Sequence, residues 1–367
     1  MRKPHLLMIF LLALTTISWS CKKKDNVEDN TNIIPVNFSV DIPDALSYSS
    51  STKSVADVEP LNGNVVYFNL KTFINVGEKS AEIIQKIFDA IREHNLTKPT
   101  EFDFTGNEDG RAKHCKIEKN GTYNGTSYSY KLTITDKLNE SKSDGGKAIQ
   151  VFWNAKPVDG VAILKFININ VNTDNLLKDA LAKIEYNEKG IADYDQEMTV
   201  SICKMLPRDT AVDKYSITSL KMFVGRKGDI IDVYGNSNHP NAWFIIDNPI
   251  GYNWAFVASS DRTQKIGIAE VGLPVSELLD FDRAAILETN SIKNVFNAQI
   301  KKKYPNLPQT YIDNYLKNTD APGYFSDQSF VQAGTAPSAN YTTLYERTKS
   351  MKPYQPWAVT YLTINFQ

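Results

Sequence analysis

Beyond residue 20 the chain carries three histidines, His94, His114 and His239, and metal or acid–base chemistry would draw on these first. No two of them are spaced to ligate one ion from the same helix. The sequence also has no H-E-x-x-H, no paired C-x-x-C and no G-x-S-x-G elbow. A Ser-His-Asp triad is assembled by the fold and leaves no spacing rule, so it stays open here. Local context reads His94 as a helix-end residue, His114 as outward-facing on a strand and His239, in "NSNHPNAW", as a loop residue. "TGNEDG" (105–110) has the glycine of a calcium loop, but Lys116 stands where the bidentate glutamate belongs and Thr105 replaces the first aspartate. "DYDQEM" (193–198) lacks the glycine, and "SDGGK" has neither the spacing nor the following helix of a phosphate loop. No metal and no cofactor are therefore expected. A hydrolase using two carboxylates would leave no local signature either, and nothing singles out a pair.

The densest cluster able to bind a ligand is aromatic. "NHPNAWFIIDNPIGYNWAF" holds Trp243, Phe244, Tyr252, Trp254 and Phe256, with Tyr252, Trp254 and Phe256 on one strand face. Rings flanked by Asn and Asp suit sugars, because a ring stacks on C–H faces while amides bond hydroxyls. The same residues serve equally as core, and exposure of Trp254 decides between the two. Cys115 and Cys203 could form one disulfide in an oxidising compartment. However, Cys115 shares its strand face with Lys113 and Ile117, whereas Cys203 lies with Thr199 and Ser201, opposite Met198, Val200 and Ile202. Such dissimilar faces favour two unpaired thiols.

The elements that must position these residues are mostly strands. "NVVYFNLKTFINV" (64–76) reads as a strand region. In "EKSAEIIQKIFDAIREHNL", Ile83, Ile84, Ile87, Phe88 and Ile91 form one apolar stripe, predicting a helix near 80–94. From about 112 to 272 the period becomes two: Tyr128, Tyr130, Leu132 and Ile134 alternate with polar residues. Short turns between successive strands make a meander of roughly eight to ten antiparallel strands. Leu177, Leu181 and Ile184 predict an interrupting helix over 174–185, capped by Thr173 or Asp174. After Pro274 the pattern is helical, then mainly loop over 319–356, and the chain closes on the alternating "WAVTYLTINF". The expected class is α+β: a mainly antiparallel meander, as a curved sheet or open barrel, with one crossing amphipathic helix and a C-terminal helical appendage. The expected divisions are 1–20, 21–60, 61–274, 275–356 and a terminal strand, 357–367, docking on the main sheet.

The first twenty residues form a targeting segment, with Arg2 and Lys3 before an apolar run too short to span a bilayer. Ser18-Trp19-Ser20-Cys21, followed by "CKKKDNVEDN", resembles the lipobox of cell-envelope lipoproteins of the Bacteroidota. The resemblance covers residues 1 to about 30. It implies that Cys21 carries lipid and that the protein is held at the outer membrane, surface-exposed or periplasmic, with 21–60 as a tether. "DTA" (209–211) resembles the tripeptide that the same bacteria O-glycosylate.

Without Arg2 and Lys3 the chain has 39 basic against 42 acidic residues, a net charge of −3. That balance does not suggest a nucleic-acid partner, which would call for a clustered basic face. The expectation is a lipid-anchored, non-enzymatic binding module for a glycan or lipid-like ligand. The alternatives are a structural or assembly subunit of an envelope or fimbria-like complex and, last, a carboxylate-pair hydrolase.

Overall fold

The computed structural model describes residues 33–47, 63–93, 98–191, 193–208, 215–246, 251–280, 282–327 and 329–367. Cys21, most of the segment expected as a tether (21–60), His94 and the "DTA" tripeptide lie outside them; the described part of that segment, 33–47, is packed into the core and does not hang free as a tether. Thirteen strands make one sheet: β1 (Thr100–Thr105), β2 (Ala112–Tyr123), β3 (Thr126–Asp136), β4 (Lys147–Ala155), β5 (Val158–Lys165), β6 (Leu181–Asn187), β7 (Gln196–Cys203), β8 (Ser219–Lys227), β9 (Ile230–His239), β10 (Tyr252–Asp261), β11 (Ile266–Gly272), β12 (Gly323–Ser326) and β13 (Phe330–Ala333). Each pairs antiparallel with the next in sequence, and no ladder joins β1 to β13 among the described residues. The protein is therefore α+β with an open meander as its frame. Turn chemistry enforces the neighbour pairing. At the β2–β3 hairpin, Asn124 and Gly125 have φ of 46° and 81°, the left-handed pair of a tight hairpin turn.

The sheet is curved around one long helix, α1 (Gly63–Arg92). Val66, Leu70, Phe73, Ile74, Ala81, Ile84, Phe88 and Ile91 are buried along it at alternating three- and four-residue steps. Near its start, Tyr67 meets Phe325 of β12; near its end, Phe88 meets Trp153 of β4. Eight strand steps of about 4.8 Å make about 38 Å along the sheet, whereas 21 residues of helix span about 32 Å. The sheet must bow to close that difference. A strap, residues 33–47, crosses the same concave face in the opposite direction. Trp153 Nε1 donates to the Ile33 carbonyl (2.8 Å), Phe38 packs on Tyr186 of β6, and Leu46 lies against Gly267 of β11.

The helix expected near 80–94 thus begins at Gly63, and 64–76, expected as strand, is its first half. Its β-branched and aromatic residues favour strand only where one side is solvated; here strap and sheet cover most of the circumference. The expected helix over 174–185 is β6 instead. Asp174 does cap, its side chain accepting from the Leu176 amide at 3.0 Å, but it caps a single 3-10 turn, Asn175–Leu177. Ala182, Ile184 and Tyr186 then alternate into the concave core, so the crossing helix is α1.

After β11 come α3 (Ile292–Lys303) and α4 (Gln309–Tyr315); the four-residue α2 (Phe166–Ile169) follows β5. Residues 319–356, expected as loop, include β12, β13 and α5 (Thr342–Ser350). The expected terminal strand is α6 (Pro356–Thr360) followed by a tail. Leu362, Ile364 and Phe366 of that tail alternate inward onto Tyr123, Phe152, Val161 and Ile163, and the Gln367 amide donates to Gln150 Oε1 (2.9 Å). The tail docks on the convex face, not on an edge, which is why β5 is apolar on both sides.

At Gly77 α1 lies directly against β8: a Cβ there would lie 2.4 Å from Met222 Cε and 2.7 Å from Sδ. Gly77→Val is expected to destabilise the fold by about 1–3 kcal/mol, read from urea midpoints. An unchanged midpoint would mean that the helix rides clear of β8.

Candidate functional site

The aromatic cluster is resolved by burial. Trp254 and Phe256 are fully buried and Tyr252 nearly so, all pointing into the concave face. Trp254 Nε1 donates to the Val66 carbonyl of α1 (3.2 Å), and its ring meets Phe73, Tyr215 and Phe244. The Tyr252 hydroxyl accepts from Gln299 Nε2 of α3 (2.6 Å). Only Trp243, on the segment after β9, is exposed, at 39%. These residues share a face, but that face is core, and no sugar reaches Trp254. Cys115 and Cys203 are buried free thiols on opposite faces of the sheet.

His239 is not a loop residue: it closes β9 and is fully buried, stacked against Phe73 and Trp254. Ser237 Oγ lies 2.7 Å from its Nε2, and its Nδ1 lies 2.7 Å from the Tyr215 carbonyl. A carbonyl accepts only, so Nδ1 carries the proton and Ser237 donates to Nε2. The pair has the contact of a nucleophile and its base, yet both residues are shut off from solvent and the third partner is a carbonyl. Burial lowers the histidine to about 3, outweighing the Tyr215 bond, and it stays neutral. It ties the segment before β8 to the core rather than activating Ser237.

A carboxylate pair does exist. Asp109 and Asp136 both reach Lys113 Nζ, at 3.1 and 3.3 Å, and Arg111 binds Asp136 at 2.9 Å. Their side chains are 1% and 0% exposed. Lys113 Nζ also donates to the Asn168 carbonyl (2.9 Å), and Asn139 Nδ2 bridges Asp136 and Asn168. Burial pushes Asp136 up, but the bonds from Arg111, Lys113 and the Leu138 amide hold its carboxyl below the ordinary range. Held below the ordinary range, Asp136 is not poised as a general acid. The cluster clamps the start of β2 to the segment after β5. A second clamp pins α5 to the convex face: Arg347 grips both oxygens of Asp232, which also accept from Tyr194 and Ser259.

A third clamp, the buried carboxylate of Glu78, holds the strap to α1. Glu78 accepts from the Ile42 amide (3.0 Å) and from Ser47 Oγ, while Gln85 exchanges bonds with the Phe38 amide (2.8 Å) and the Val36 carbonyl (2.7 Å). Burial raises Glu78 to about 7, against the bonds from Ser47 and Ile42.

With α1 and the strap lying across the concave face, the large exposed aromatic residues are on the outer surface. There, Trp357 on α6 and Tyr361 just past its end stand one helical turn apart, 42% and 54% exposed, with ring centroids 5.1 Å apart and planes tilted by 47°. Tyr361 donates to Glu277 Oε1 (2.8 Å), and Leu279, 66% exposed, is bound through its carbonyl to Gln355 Nε2 (2.7 Å). This aromatic pair, with a carboxylate and an amide beside it, is the exposed counterpart of the buried cluster. Reading 357–367 as strand hid it; the signal was a proline opening a helix followed by aromatics at i and i+4. No helix among the described residues is long and apolar enough to cross a membrane. No protein-family model, curated protein or solved structure matches the chain.

Glu78 and His239 set opposite limbs of stability against pH. Glu78 holds its proton more tightly when folded (about 7) than its ordinary 4.5, so its contribution falls as pH rises from 4.5 through 7. His239, at about 3 against 6.5, loses its contribution as pH falls from 6.5 towards 3. Between pH 4.5 and 6.5 the two slopes oppose and largely cancel, so Glu78→Gln should turn a nearly flat wild-type profile into a stability that rises with pH in urea titrations across this range. A wild-type profile in that variant would show that Glu78 does not oppose His239.

Proposed function

We propose that the chain is a cell-envelope lipoprotein, held at the outer membrane by lipid on Cys21, whose folded unit is a non-enzymatic module binding glycan on its outer surface. The observation that carries this reading is the exposed Trp357–Tyr361 pair beside Glu277 and Leu279. A sugar ring can lie against the two aromatic faces while its hydroxyls donate to the carboxylate and bond the Gln355 amide. The filled concave face speaks against the lipid-cargo reading: α1 and the strap occupy the volume that a carried acyl chain would need. The locked states of Asp136 and Ser237 speak against hydrolysis.

The mature chain carrying Cys21→Ala should bind envelope-type oligosaccharides in calorimetry. Trp357→Ala should weaken that binding several-fold to tenfold, about 1 kcal/mol for one stacked ring, while Trp243→Ala leaves it unchanged. Equal affinity in Trp357→Ala and its parent would remove the platform from consideration.

Anchoring is tested separately. Labelled palmitate is expected on the wild-type chain and absent from Cys21→Ala. Protease shaving of sealed cells then tells which leaflet carries the protein.

A further inference from the structure

Helices α3 and α4 meet at a corner that faces water: residues 301–311 are exposed without a break. Lys301, Lys302 and Lys303 are consecutive there. Next to them, Tyr304 is 50% exposed, Leu307 38% and Tyr311 66%. The corner is braced rather than loose. Ile300 and Ile312 bury its two arms in the core, the Leu307 amide donates to the Tyr304 carbonyl (3.1 Å), and Tyr311 donates to the Pro308 carbonyl (3.0 Å). Pro305 and Pro308 fix φ on either side of Leu307. Lys303 donates to the Ile245 carbonyl (3.1 Å) and lies 5.6 Å from the Tyr304 ring. Residues 292–317 contain five lysines and one aspartate, a local charge of +4 in a chain of net charge −1.

Lysines in a last helical turn complement the helix dipole, and single exposed tyrosines are ordinary. Neither accounts for three successive cations beside two rings and a leucine on a proline-braced turn. Cations with amphipathic rings at one edge suit a membrane interface, where ammonium groups meet phosphates while rings and aliphatic stems sit at headgroup level.

We propose that this corner is a membrane-contacting surface that docks on anionic phospholipid headgroups. Lys301, Lys302 and Lys303 supply the charge, and Tyr304, Leu307 and Tyr311 the interfacial contact. The proposal rests on the reading of Cys21 as the lipid anchor. Eleven residues lie between Cys21 and Ile33 at the start of the strap, a reach of at most about 40 Å. A bilayer holding Cys21 is thus never far from the folded unit, and a patch weak in free solution becomes effective at that local concentration.

The test uses the mature chain with Cys21→Ala, sedimented with vesicles containing phosphatidylglycerol or with pure phosphatidylcholine vesicles, at low and high salt. The expected result is binding to the anionic vesicles alone, weakened by salt. Replacing all three lysines by glutamine should lower partitioning on the order of 100-fold, and Tyr304→Ala with Tyr311→Ala should lower it further. Glutamine at Lys119, Lys142 and Lys189, also exposed, should leave it unchanged. Equal binding to both vesicle types, no binding to either, or parental binding by the Lys301–303 variant would overturn the proposal. Because the protein in this assay carries no lipid, its failure leaves the anchor to be decided by palmitate labelling.

Discussion

The burial of α1 on nearly its whole circumference is the constraint from which the rest of the architecture follows. A helix of 30 residues cannot hide its apolar surface against a flat sheet, so the sheet bows and the strap lies alongside. Curvature then leaves a broad convex face with its own apolar residues. Ala255 and Val257 are covered by Ile286, Leu287 and Met351, and Phe152 and Ile163 by the terminal tail. One long helix in the groove thus dictates a two-sided sheet, and a two-sided sheet dictates the long C-terminal wrapping.

The polar groups enclosed by this arrangement act mainly as fasteners. Asp232, Asp136 and Glu78 each join segments far apart in sequence: α5 to β9, the start of β2 to the segment after β5, the strap to α1. A buried carboxylate without partners would be costly, and each of these is met by amides, hydroxyls or cations. The Ser237–His239 contact belongs to the same class. Its nucleophile-and-base geometry arises because a buried imidazole must satisfy both nitrogens, and a serine two residues earlier on the same strand face is at hand.

Much of this was legible in the sequence because strand alternation and hairpin turns are local. The antiparallel meander, the shared face of Tyr252, Trp254 and Phe256, and the dissimilar surroundings of Cys115 and Cys203 all follow from period two. What was hidden depends on partners that a local pattern cannot name. Residues 64–76 look like strand because strap and sheet demand apolar side chains nearly all round. Leu177, Leu181 and Ile184 fit a helical spacing, yet Leu181 and Ile184 face opposite sides of a strand, one under the tail and one under α1. The tail keeps the alternation of a strand but pairs its side chains with a face instead of its backbone with an edge. For the same reason the exposed pair at Trp357 and Tyr361 could not be told from core: aromatic residues declare their size in the sequence, and only the fold declares their exposure.

The position of α1 in the chain also fixes an order of events. It precedes every strand, while each strand's partner is its immediate neighbour in sequence, so the sheet can zip from β1 onward as a succession of local closures. The helix cannot complete its own burial that way, because Tyr67 needs β12 and β13, the last strands to arrive. Strap and earlier strands can cover the rest of the helix as they form, but the Tyr67 end stays incomplete until residue 333 has emerged. The topology thus links the final strand pair, at the far end of the sequence, to the burial of the first helix.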